Sequence, residues 1–366
     1  MTYDLNLPWH LTLALGPDLL LVAGAMVLTL FAAWGDETPA RQRSVGWGSI
    51  ALVVLTMAAV AWYWMDSPTA TAGVVAVDDF RWAADIVLLV GTLLAILFSI
   101  DYNDRVGITA GESHVLLLFA TSGMMLLAGA RDLMIVFLGI ELMSIATYVL
   151  AGLNRRSARG AESSLKYFLL GSFSTGFLLY GIALTYGATG STNLAVIGSR
   201  VLEHQLYESA ILVAGIAMLV IGFCFKVAAA PFHMWAPDVY EGAPTPVTAY
   251  MAAVVKAAAF VSFLRVFAEA FPSLLVSWHT AIWWLAVITM VVGNVIALAQ
   301  RSVKRMLAYS SIAHAGYLLV TIAVAGIFPE DQRSGAALGS SAMLFYLLAY
   351  TLATMGAFAV VTAASV

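Results

Sequence analysis

The sequence predicts an all-α fold, a polytopic bundle of transmembrane helices. Three observations carry that reading. Of 366 residues, 62% are hydrophobic and only 10% charged, with a mean hydropathy of +0.92; ordinary soluble domains are about 45–50% apolar. The apolar residues fall in runs of roughly 20, the length at which a helix rising about 1.5 Å per residue crosses the hydrocarbon core. Most links between the runs are short and carry turn chemistry, as in Asp66-Ser67-Pro68, Gly187-Ala188-Thr189-Gly190 and Ala243-Pro244-Thr245-Pro246. No soluble domain is expected.

Eleven spans follow in order. The first, 13–34, has no Lys or Arg before it, the earliest being Arg41, so it lacks the basic region of a cleaved signal and reads as a retained helix. The second, 46–64, opens with Gly46-x-Gly48-x-x-Ala51; with no strand before it, this is not a dinucleotide fingerprint. Spans 83–100 and 114–130 are apolar, and 132–153 is apolar except for Glu141 near its middle, with Ser144 three residues on. In 164–187 the small residues Gly171, Ser172, Ser174 and Gly176 are expected at close helix contacts. The seventh span, 207–235, contains Lys226 and then Pro231, which lacks an N–H, clashes with the preceding turn and breaks the helix just after the lysine. Lys256 lies in the middle of 248–271; 278–300 is apolar; 303–328 carries Lys304, Ser310, Ser311 and His314 at spacings that share one side; and 337–363 completes the set.

Charge is sorted by type. Of 17 basic residues, 13 are Arg, nearly all in loops or at helix ends, whereas the four lysines, Lys166, Lys226, Lys256 and Lys304, lie within apolar segments or at their edges. A guanidinium does not release its proton in a protein, whereas a desolvated amine can exchange one. Lys256 has roughly 14 Å of apolar helix on either side, farther than its side chain can reach to the interface, and Lys226 is similar. Lys166 and Lys304 sit near span starts, where snorkelling to the headgroups is the competing reading. A charged group at the depth of Glu141 costs roughly 2.5–3.5 kcal/mol on the insertion scale. A Glu–Lys pair that only fixes packing is the bland alternative; one carboxylate facing several amines favours a functional set. Broken helices at membrane depth line cavities or water paths, so Lys226 with Ala228, Ala229 and Ala230 beside the break marks a candidate ion site, with His233 as a possible relay.

Lys and Arg in short loops favour the cytoplasmic side. Arg41, Arg43, Arg105, Arg155, Arg156, Arg159, Arg301, Lys304 and Arg305 fall on one side, against Arg81, Arg131, Arg200, Arg265 and Arg333 on the other. The N-terminus is thereby expected outside the cytoplasm. With a formal charge of −4 and no basic block, nucleic acid is not an expected partner. One cysteine, Cys224, cannot form a disulfide framework or ligate an iron–sulfur cluster alone. His10, His114, His204 and His279 lie outside the spans or at their starts rather than as facing pairs within them, so haem is not expected.

The segments FLGIELMSIATYVLAGL, GFCFKVAAAPFHMWAPDVYEGAPTPVTAYMAAVVKAAAF and ALAQRSVKRMLAYSSIAHAGYLL closely resemble the antiporter-like membrane subunits of bacterial respiratory complex I, the proton-translocating NADH:quinone oxidoreductase. Lys-x4-Pro-Phe-His and Lys-Arg-Met-Leu-Ala-Tyr-Ser-Ser are shared across these subunits, and Pro-Asp-Val-Tyr-Glu-Gly-Ala-Pro-Thr-Pro-Val favours the subunit N branch. The resemblance spans nearly the whole chain. It implies inverted five-helix repeats with a broken seventh helix: helices 1–3 over residues 1–110, a first repeat over 111–272 and part of a second over 273–366. By motif, Glu141, Lys226 and Lys256 match the family's acidic and lysine positions on helices five, seven and eight, Lys304 and His314 the polar pair of helix ten, and Lys166 the lysine of helix six. The family continues through a second broken helix with a further lysine, whereas this sequence stops at Val366, so a fragment of a longer chain is expected.

The expected function is that of a proton-translocating membrane-arm subunit in the bacterial inner membrane, catalysing no redox step itself. NADH, FMN, iron–sulfur clusters and quinone are expected in partner subunits, and no cofactor or metal in this chain. Rival readings are a subunit of a multi-subunit sodium/proton antiporter, which shares the lysine motifs, and a structural membrane-arm subunit that moves no ions.

Overall fold

The computed structural model describes residues 2–5, 7–34, 36–66, 69–70, 73–324 and 332–364. Residues 67 and 68 of the first expected turn and 325–328 of the tenth expected span lie outside the described residues, as does the Arg333 side chain. The chain forms a multi-pass membrane bundle. Among the described residues nine helices are long and apolar enough to cross a bilayer, and two more apolar helices, α5 (Glu112–Ala128) and α9 (Ala210–Lys226), have 17 residues each. Together they account for every expected span. The others are α2 (Gly16–Ala33), α3 (Pro39–Asp66), α4 (Asp79–Val106), α6 (Leu133–Ala151), α7 (Ala158–Thr189), the continuous stretch α11 (Thr245–Tyr250) to α12 (Lys256–Ala270), α13 (Leu275–Leu298), α14 (Val303–Val324) and α15 (Gln332–Ala364).

Three short helices are absent from the sequence reading. Of these, α1 (Pro8–Ala14) precedes the first span, and α8 (Leu194–Glu203) occupies the link after α7. The side chain of Asn193 caps α8 by accepting from the Val196 N–H at 3.2 Å, and Leu194, Ile197, Gly198 and Val201 form its buried stripe. The third, α10 (Ala236–Gly242), follows the break in the seventh span. Beyond the helices there is a two-residue parallel strand pair, β1 (Thr2–Tyr3) with β2 (Thr69–Ala70).

One helix forms the axis. Every residue from Thr245 to Phe267 is buried, so the α11–α12 stretch is enclosed by protein, whereas α2, α3, α13 and α15 present Leu30, Trp47, Trp62, Trp284 and Phe345 outward, as lipid-facing helices do. The pairs α5–α6, α7–α9 and α13–α14 pack side by side. Backbones approach closely between α5 and α6: a Cβ on Gly123 would lie 2.7 Å from the Met143 nitrogen and 2.9 Å from the Gly139 oxygen. Only glycine fits there. Of the four small residues expected to give close contacts on α7, Gly171 lies under the Tyr148 hydroxyl and Ser174 is buried, but Ser172 and Gly176 are exposed and a Cβ on Gly176 would meet nothing. That expectation therefore holds for half the motif, because i and i+4 small residues mark a face without saying whether protein or lipid lies against it.

Two arginines counted with the helix ends are buried. Arg81 is fully buried, donating to Asp18 at 2.5 Å and to the carbonyls of Ala76 and Ala14. Arg265 forks onto Asp78 at 2.8 and 2.9 Å and reaches Glu269 at 3.0 Å; Glu269 in turn accepts from Arg131 at 2.9 Å. These pairs tie α2, α4 and α12 together at one end of the bundle.

Candidate functional site

The seventh span stops at the lysine itself. Helix α9 ends with Lys226; Ala228 turns left-handed at φ 56°, a conformation that costs a side-chain-bearing residue about 1–2 kcal/mol, and the Ala230–Pro231 peptide bond is cis. Proline was expected to make the break, yet the helix has closed before it. Its end is satisfied locally: the N–H of Ala228 donates to the Phe225 carbonyl at 3.0 Å, that of Ala229 to Cys224 at 2.8 Å, and the Trp235 indole to Phe225 at 3.1 Å. The Ala230 N–H donates to Thr289 on α13 at 3.0 Å. The break is thus a built feature with partners on the neighbouring helix.

At this break Lys226 is only 6% exposed, and its amine donates to Ser144 Oγ at 2.9 Å and to the Tyr148 hydroxyl at 3.4 Å. Both acceptors are on α6, one and two turns after Glu141. Glu141 forms no direct ion pair among the described residues, and its Oε1 is buried with no hydrogen-bond partner. The amine is thereby bonded to the helix that carries Glu141, one turn from that residue. Tyr148 packs edge-on to Tyr167, which stacks on Trp235 with centroids 4.7 Å apart, so the aromatic residue after the break braces the hydroxyl that faces the amine. Neither Tyr148 nor Trp235 stands out in the sequence as a site residue.

Lys256 is 2% exposed and begins α12 directly after a π-turn, Met251–Val255. Its amine donates to the Ser311 carbonyl at 2.7 Å and to Ser311 Oγ on α14. His314, one turn further along α14, is hydrogen-bonded through Nδ1 to the Tyr346 hydroxyl at 2.5 Å. Ser310, Ser311, His314, Tyr346 and Tyr350 line a cavity of about 330 Å³ between α14 and α15. Of the expected polar side of the tenth span, Ser311 bonds the central helix, Ser310 and His314 line this cavity, and Lys304 turns to α10 instead.

Lys304 sits apart from these two amines. Half-buried at the start of α14, it donates to the carbonyls of Ala243 at 2.7 Å and Glu241 at 3.1 Å, closing the C-terminal end of α10. His233 lies beside the break, half-buried, its Nδ1 without a hydrogen-bond partner and its ring 6.3 Å from that of Tyr309. Lys166 belongs to a surface cluster: 41% exposed, it pairs with Glu162 at 2.6 Å and Asp238 at 2.9 Å. Arg305 completes the cluster, bonding Asp238 at 2.8 Å and Glu241 at 2.9 Å around a cavity of about 250 Å³. The Lys166 hydrogen bond, with help from Arg305, holds the Asp238 carboxyl below the usual carboxylate range. Among the described residues no group of three or more His, Cys, Asp or Glu side chains is arranged to hold a metal ion.

Residues 130–366 match the family described as NADH:quinone oxidoreductase/Mrp antiporter, TM. Among curated relatives, NADH-quinone oxidoreductase subunit N of Gemmatimonas aurantiaca is 53% identical over 357 residues, covering 95% of this chain and 66% of its own length. Subunit N of Trichlorobacter lovleyi is 47% identical, with 94% and 68% covered. The chain thus spans about two thirds of the length of these relatives. Among solved structures, a chain of respiratory complex I from Thermus thermophilus with bound aureothin superposes with a TM-score of 0.76 at 37% identity, over 94% of this chain and 70% of that one. A chain of the Mrp complex from Dietzia sp. DQ12-45-1b reaches 0.78 over 95% and 64% at 21% identity, a likeness of fold alone.

Proposed function

This chain belongs to the NADH:quinone oxidoreductase/Mrp antiporter transmembrane family, and from that premise we propose that it is a proton-translocating membrane-arm subunit of an NADH:quinone oxidoreductase. The observation that carries the proposal is the Lys226 amine, buried at a helix break and hydrogen-bonded to Ser144 one turn from the unpaired, buried oxygen of Glu141. An amine so placed exchanges a proton when the carboxylate's charge or distance changes, because the two interact through a medium of low dielectric.

In this reading a proton reaches Lys226 from the cytoplasmic side, near the Lys166, Asp238 and Arg305 cluster. It passes along the bundle by water and hydroxyl groups to Lys256 and on to His314, with Lys304 holding α10 in register and His233 serving beside the break. The energy comes from quinone reduction in partner subunits, where NADH, FMN and the iron–sulfur clusters also reside. The N-terminus lies on the non-cytoplasmic side of the bacterial inner membrane. Residues 1–110 form the N-terminal helices 1–3, 111–272 one antiporter-like repeat and 273–366 part of a second, inverted one. The relatives at 47–53% identity favour this over a sodium/proton antiporter subunit, for which the support is the shared family model and a shared fold at 21%.

The test is Lys226→Arg in the full-length subunit of the assembled complex. Arginine keeps the positive charge and removes proton exchange. NADH-driven acidification of inverted vesicles, measured per electron, falls in the variant; an undiminished ratio rejects the proposal.

A further inference from the structure

A feature of the central helix not used above lies one turn before Lys256. A π-turn closes its hydrogen-bonded ring with one residue more than an α-turn, so a main-chain carbonyl falls short of its α-helical donor. The extra residue also changes where the following side chains point, since each residue of an α-helix advances the direction by about 100°. Lys256 is the first residue after Met251–Val255. Its direction, and so its contact with Ser311, depends on the π-turn being kept.

The Tyr350 hydroxyl on α15 donates to the carbonyl of Ala252, inside that turn, at 3.1 Å. Tyr350 is buried, packs against the His314 ring with centroids 4.9 Å apart, and its hydroxyl also faces Ser311. A ring needed only to fill space between α14, α15 and the axis would gain nothing from a hydroxyl, because a buried one without a partner costs about 1–3 kcal/mol. Here the hydroxyl reaches the backbone whose geometry directs the lysine.

We infer that Tyr350 is a positioning residue of the proton route: its bond to the Ala252 carbonyl holds the π-turn that aims the Lys256 amine at Ser311. The inference rests on the reading of Lys256 as a proton carrier. Tyr350 itself neither gives nor takes the transported proton.

The experiment compares Tyr350→Phe, Tyr350→4-aminophenylalanine and Lys256→Met in the full-length subunit of the assembled complex, with exposed Tyr180→Phe as the neutral control. Protons pumped per electron are measured in inverted vesicles, and amide hydrogen exchange is followed over residues 250–258. Tyr350→Phe is expected to raise exchange at the π-turn about tenfold, the effect of losing one buried hydrogen bond, and to lower the pumping ratio about threefold or more. Tyr350→4-aminophenylalanine, which keeps the ring and places an N–H donor where the hydroxyl was, is expected to recover part of both. In a purely packing role the amino group restores nothing that Phe lacks. Parental exchange and pumping in Tyr350→Phe, or no recovery with 4-aminophenylalanine, overturns the inference. If Lys256→Met is impaired while Tyr350→Phe is not, the positioning role alone fails; if Lys256→Met pumps like the parent, the proton-carrier reading fails.

Discussion

The amine of Lys226, at the end of α9, donates to Ser144 Oγ on α6 at 2.9 Å. Ser144 lies one turn after Glu141, so the buried amine is bonded to the helix that carries a carboxyl oxygen with no partner of its own. A carboxylate in this position favours the protonated amine by Coulomb attraction, a bias on the proton equilibrium that a low effective dielectric strengthens. Glu141→Gln keeps the shape and removes that bias. NADH-driven pumping per electron is expected to fall about tenfold or more in an assembled complex, and a ratio within about twofold of the parent counts against electrostatic control by Glu141.

The α5–α6 contact sets where Glu141 and Ser144 stand. Because Gly123 and Gly139 meet backbone to backbone, a larger side chain forces the helices apart at a cost of about 1–3 kcal/mol. Gly139→Val, two residues before Glu141, is expected to lower the thermal stability of the complex and its pumping ratio together. Gly176→Val, at an exposed position of α7 with open space around it, is expected to change neither. Equal behaviour of the two variants contradicts the close-contact account.

Arg265 and Asp78 make a separate prediction about acid stability. Burial pushes the Asp78 carboxyl up, but the forked hydrogen bonds and charge of Arg265 outweigh it and hold the group below its ordinary value. A carboxyl depressed on folding contributes stability above its unfolded value, about pH 4, and loses it as pH falls through the lower folded value. Melting of the detergent-solubilised complex is expected to show this acid limb in the parent and a flatter one in Asp78→Asn. Arg265→Met is expected to cost about 1–3 kcal/mol at neutral pH, less than breaking a wholly buried pair because Asp78 is 43% exposed.

The spans and the lysines at depth were legible in the sequence for a shared reason: hydrocarbon demands about 20 apolar residues per crossing, so a group such as Lys256 or Glu141 stands out against its surroundings. Pro231 likewise marked a break. Proline shows where a helix cannot continue, not where it stops, and the left-handed turn at Ala228 carries no signal because alanine is a good helix former. The π-turn is similarly silent, since Met251-Ala252-Ala253-Val254-Val255 reads as ordinary apolar helix. Hydropathy does not say which neighbour a residue faces. For that reason the burial of Arg81, the Gly123–Gly139 contact and the surface pairing of Lys166 with Asp238 emerge only once the helices are packed. The ten-residue helix α8 is too short to stand out as a membrane crossing, although Asn193 and the 194, 197, 198 and 201 spacing are readable as a cap and stripe.

Lys226 and Glu141 are expected to change protonation while the complex turns over. Redox-induced infrared difference spectroscopy on the assembled complex, with isotope-labelled lysine, reads those changes directly. Lysine and carboxyl bands that appear on turnover, with the lysine band lost in Lys226→Arg and the carboxyl band in Glu141→Gln, are the predicted result. Spectra with neither band, from a complex pumping at its full ratio of protons per electron, contradict it.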